Sequence, residues 1–111
     1  MGSETSQDPT DRHRPAIEAL RAAVLESPGV LPAPVRRAAA ERSEVPETYA
    51  AYVEKIHDHA YKITDRTVAD LKAAGESEDA VFEVTVAAAY GASRRRLDAG
   101  LAALRKALEG S

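Results

Sequence analysis

The chain has 111 residues and contains neither cysteine nor tryptophan. Without cysteine there is no disulfide framework, no thiolate metal site and no thiol nucleophile, and nothing marks an oxidising or a reducing compartment. Aromatic residues make up only 5% of the chain, too few for the stacking platforms that hold bases or sugars, so the core has to be aliphatic. Excess positive charge is missing too. The 15 Lys and Arg face 18 Asp and Glu, a net charge of -3, which argues against nucleic-acid and anionic-membrane partners. No apolar run approaches the roughly 20 residues that span a bilayer, and no charged start leads into an apolar segment of the secretory kind. The expected compartment is therefore the cytoplasm. A chain this short makes one small domain with a modest stability margin, which self-association would support.

What the chain does contain is helix. Residues 1–14 are polar, carry Pro9 and show no apolar periodicity, so they read as a mobile arm ahead of a single domain at 15–109. From Pro15, the residues Ile17, Leu20 and Val24 recur at helical spacing until Ser27-Pro28-Gly29 stops them. A short second helix starts near Pro34 and runs to about Arg42, with Val35, Ala38 and Ala39 as its thin apolar side. Tyr49, Tyr52, Val53, Ile56, Ala60 and Ile63 then share one face of a third helix of about five turns. Thr64 is the expected cap of a fourth helix, closed by Gly75, and Ser77 with Glu78-Asp79 opens the last.

That last helix has two apolar sides. Val81, Val84, Ala88 and Ala89 form one arc, widened by Phe82 and Val86, while Leu97, Leu101, Leu104 and Leu108 repeat at 4,3,4 spacing on a stripe turned by more than about 100° from it. Either the helix faces two partners or it bends near Gly91. No strand pattern survives. The expected fold is all-α, a bundle of about five helices that oligomerises through helix faces.

The stretch from Thr64 to Gly91 resembles the AhpD-like and carboxymuconolactone decarboxylase superfamily. The residues that carry the likeness are the helix ending in Ala73-Ala74-Gly75, the Ser77-Glu78-Asp79 restart and the Glu83-Val84-Thr85-Val86-Ala87-Ala88-Ala89 helix. The resemblance implies a small all-α subunit that assembles as trimers or hexamers. In the redox branch a Cys-x-x-Cys pair opens the helix that the glycine closes, with a His following and a Glu upstream. Those places fall near Ala60, Ile63, Thr67 and Thr48. A thiol mechanism needs thiolates that cycle through oxidised forms, so peroxidase and disulfide-reductase activity is excluded for this chain.

Acid-base chemistry is what the resemblance leaves. The candidate catalytic residues are Glu54, His57 and His59, because histidine titrates near neutral pH and can move a proton if a pocket holds substrate within reach. On a helical wheel the two histidines flank the apolar face on opposite sides, which suits half-exposed packing residues as well as catalysts. Glu54-x-x-His57 has the spacing of di-iron bundles, but such sites need further carboxylates on facing helices. Neither a metal nor another cofactor is expected. In the run Arg94-Arg95-Arg96, Arg94 can pair with Asp98 one turn on. Arg95 and Arg96 continue the inner arc, where a guanidinium needs a structural partner such as Glu83 or a bound carboxylate. With Tyr90 they are the candidate substrate-binding residues, and the candidate ligand is a small organic acid. The leading reading is a non-redox, oligomeric family member that is structural or binding in role. The alternative is a small acid-base enzyme, decarboxylase or lactone hydrolase in type, at a subunit interface.

Overall fold

Local capping signals place the helices of the second half of the chain. Thr64 takes extended backbone angles, and its hydroxyl accepts the amide of Thr67 at 3.4 Å while the Thr67 hydroxyl accepts the amide of Thr64 at 3.2 Å. This reciprocal cap opens helix α4, Asp65–Ala73. The helix closes where Gly75 adopts φ +102°, with the Glu76 amide donating to the Leu71 carbonyl and the Gly75 amide to that of Lys72. Ser77 then accepts the Ala80 amide at 3.1 Å and opens α5, Glu78–Glu109, with Glu78 and Asp79 at the positive end of its dipole.

The structure is a computed structural model that describes the backbone of residues 9–110 and the side chains of residues 12–110. Three helices precede α4: α1, Pro9–Leu25; α2, Ala33–Glu41; and α3, Glu47–Asp58. A single 3-10 turn, Ala60–Lys62, joins α3 to α4, and no strand occurs among the described residues. The all-α expectation and its five helices hold at this level.

Two boundaries and one buried face differ from the sequence reading. Helix α1 begins at Pro9, so residues 9–14 of the expected arm are helical; residues 1–8 of it lie outside the described residues. Pro15 stands inside the helix, where its ring removes one hydrogen bond without ending the element. Helix α3 stops at Asp58, because His59 leaves the helical region at φ -144° and the 3-10 turn brings Ile63 back against the core. On α2 the buried side is Arg36, Ala39 and Ala40, with Val35 and Ala38 only half-buried.

The core lies where α2 and α3 pack on the first half of α5. Tyr52, Val53 and Ile56 of α3 meet Val81, Val84 and Ala88 of α5, with Leu25 and Leu71 closing the ends. Small residues let the α2 and α5 backbones approach closely: a Cβ at Gly91 would overlap the backbone carbonyl of Ala40. A helix of 32 residues is about 48 Å long at 1.5 Å per residue. Beyond Arg96 only Leu101 is even half-buried. Phe82, expected in the core arc, is 66% exposed, and Val86 is half-buried. The body of the molecule occupies the opposite side of the helix.

Candidate functional site

His57 is the junction of three helices. It stands in the last turn of α3 and is 1% exposed, so the half-exposed position read from the wheel is corrected. Its Nε2 donates to the Ala39 carbonyl of α2 at 2.9 Å. That bond leaves a lone pair on Nδ1, which accepts from Nη2 of Arg95 on α5 at 3.0 Å. Nη2 of Arg96 donates to the His57 backbone carbonyl at 3.2 Å. Burial holds the imidazole below the ordinary histidine range; the Ala39 carbonyl opposes this, and the charges of Arg95 and Arg42 reinforce it. The ring is neutral, with one tautomer set by its partners, and both nitrogens are engaged.

Of the six candidate residues, the fold thus brings three together: His57, Arg95 and Arg96. Their guanidiniums use histidine acceptors rather than Glu83. The Glu83 carboxylate instead accepts the amides of Val30 at 2.7 Å and Leu31 at 2.8 Å, pinning the α1–α2 connector to α5. Burial works to raise the Glu83 carboxyl, but those two bonds and the nearby Arg36 charge outweigh it and hold the group below the usual carboxylate range.

The other three take no part in the His57 hydrogen bonds. Glu54 is exposed and receives Nη2 of Arg42 at 2.6 Å. The same guanidinium grips both Asp58 oxygens, at 3.1 and 2.7 Å, and this keeps the Asp58 carboxyl low. Arg42 caps α2 in the left-handed region, φ 58°, so this fork fastens the α2 C-terminus to α3. His59 is exposed beyond the end of α3, edge-on to Tyr61 with ring centroids 5.9 Å apart. Tyr90 is half-buried. It shares with Arg95 a groove of about 510 Å³ in which the acids Glu18, Glu41 and Asp98 offset the bases Arg21, Arg94 and Arg95. The pair of Arg94 with Asp98 forms at 3.2 Å, as its spacing predicts.

Two features escaped the sequence reading. Arg36 is 5% exposed and donates to the carbonyls of Val24 and Ser27, tying down the end of α1. Its signal was a charge at helical spacing from Ala39 and Ala40 on a small-residue face. The second is a cleft of about 610 Å³ between α3 and α4. Lys55, Lys62 and Arg66 line it, with Thr64 and Thr67 beside them and Ala51 and Leu71 as apolar wall. Among the described residues none of these three cations is paired with a carboxylate, and Asp70 is the one acid of the lining. Thr48 also borders this cleft.

Among the described residues no group of three or more His, Asp or Glu is placed to hold a metal ion, and no helix is long and apolar enough to cross a membrane. No family model, curated protein or solved structure matches this chain.

Proposed function

We propose that this chain is a non-redox, AhpD-like helical protein whose role is assembly, structural or binding, rather than catalysis. The observation that carries the reading is the state of His57. It is the one histidine placed with two arginines, yet each ring nitrogen already serves a protein group, which leaves no proton or lone pair for a substrate. The junction of Gly75 and Ser77 supports the AhpD-like element, and the exposed Phe82, Leu97, Leu104 and Leu108 support the oligomeric one. Sedimentation at micromolar concentration tests it. The expected species is a multiple of 11.9 kDa, and a single monomeric species contradicts assembly.

The α3–α4 cleft favours a second reading, binding of a small organic acid. Its carboxylates would lie against Lys55, Lys62 and Arg66, and its carbon chain against Ala51 and Leu71. Glu54, His57 and His59 are all outside the cleft lining, so this reading is of binding and not turnover. Calorimetric titration with succinate tests it: heat that disappears in a Lys55→Met/Arg66→Met variant is expected, and no heat with the parent chain contradicts it.

A further inference from the structure

Four of the seven large apolar side chains left exposed among the described residues belong to α5: Phe82, Leu97, Leu104 and Leu108. At about 100° per residue the first three fall on one arc with Val86, on the side of α5 turned away from α2 and α3. The arc is palindromic about Ser93. From that exposed serine the positions step by four, three and four residues in both directions, through Ala89, Val86 and Phe82 one way and Leu97, Gly100 and Leu104 the other. Each half spans eleven residues in three turns, about 3.67 residues per turn, so the face drifts by only about 20° per half and favours a slight right-handed supercoil.

We infer that two copies of this chain pair through this face, antiparallel, about a two-fold axis at Ser93. A two-fold interface must complement itself, and this one does. Ala89 lies opposite Leu97 of the other copy, Val86 opposite Gly100, and Phe82 opposite Leu104 at each end. Gly100 gains a reason in this arrangement. A Cβ there meets nothing within 4 Å, so the subunit itself makes no use of a residue that weakens a helix. Across the pair, the absent side chain is the hole that receives Val86.

Charge selects the direction. Antiparallel packing brings the acidic first turn of α5, Glu78 and Asp79, to the level of Arg105 and Lys106 of the other copy. Parallel packing would instead set that acidic turn against its own copy and Arg105 with Lys106 against theirs. Neither Asp79 nor Arg105 forms an ion pair among the described residues. Leu20 of α1, 55% exposed, widens the same face where it lines a groove of about 220 Å³ with Ile17, Tyr90 and Leu97.

The inference rests on the oligomeric reading above, and its test separates the two. Ala89→Leu sets leucine against leucine, and Leu97→Ala leaves a void. Each is expected to weaken self-association by roughly tenfold or more in sedimentation equilibrium. The Ala89→Leu/Leu97→Ala double variant exchanges the two sizes across the axis and recovers parental affinity to within a few-fold. Ser93→Arg sets two like charges on the axis and separates the copies while circular dichroism stays helical. A parent chain that is monomeric overturns the oligomeric reading. A parent oligomer that survives Ser93→Arg, or a double variant no tighter than its singles, overturns the antiparallel pair alone.

Discussion

Gly91 and Gly100 stand nine residues apart on one helix and meet opposite surroundings. At Gly91 a Cβ would collide with the Ala40 backbone, whereas at Gly100 it would reach nothing. The same division runs through the whole of α5. Its first half buries Val81, Val84, Ala87, Ala88 and Ala92, and Arg95 and Arg96 bind the end of α3 through His57. Its second half carries leucines that the subunit leaves largely open: Leu104 and Leu108 are exposed, and Leu97 is covered only in part by α1. The first half explains how the chain folds, and the second points to what the folded chain does. Exposed apolar surface on a small domain is a cost unless a partner covers it.

The largest effect that would break this division is at Gly91. A Gly91→Leu substitution has to push α5 off α2, and it should destabilise the protein by about 3 kcal/mol or more in urea unfolding. A loss below about 0.5 kcal/mol would place Gly91 outside any close packing. His57→Leu comes next, because it leaves the carbonyl of the buried Ala39 without its donor and removes the protein acceptor of the exposed Arg95, for an expected loss of about 1–3 kcal/mol.

The same residue sets an acid limit. Its folded-state pKa lies below the unfolded value, so the unfolded chain takes up the proton first. The His57 contribution is complete above about pH 6.5 and is lost progressively as pH falls toward the folded pKa. Stability measured across this window should decline toward acid in the parent chain, and the decline should be shallower in His57→Leu. Equal slopes would mean that His57 is not the titrating group.

Glu83→Gln tests the inner half more gently. The amide keeps one acceptor and turns a donor toward the second connector amide, which should cost about 1–2 kcal/mol in chemical denaturation; an unchanged midpoint would release the connector from α5. Gly100→Ala is the smallest and has two signs. In a Ser93→Arg background, where copies are apart, it should stabilise the helix by roughly 0.5–1 kcal/mol. In the parent background it should weaken pairing.

The legible parts of this fold were those specified within a turn or two. Thr64, Gly75 and Ser77 announce the α4–α5 junction by side chains that bond the nearest amides or by a backbone angle glycine favours, and Arg94 finds Asp98 on the next turn. The parts that were not legible depend on distant partners. A wheel places Arg95 and Arg96 on the inner arc, but it cannot say that a histidine 38 residues away would accept the guanidinium or that Glu83 would already hold the connector. Nor can it say which edge of a broad apolar arc the body will cover. Phe82 and Val86 therefore counted as core and prove to be outer face. The end of α3 was hidden for the same reason: Ala60 and Ile63 keep helical spacing, and only the return of the chain to the core reveals the break at His59.

Hydrogen exchange along α5, followed as a function of protein concentration, tests the division most directly. Amides from Val81 to Ala92 should be protected equally at every concentration, because the subunit itself holds them. Those from Leu97 to Leu108 should exchange quickly in dilute solution and gain protection as concentration rises. Exchange from Leu97 to Leu108 that is independent of concentration would contradict pairing through this face and leave the outer half of α5 without an assembly role.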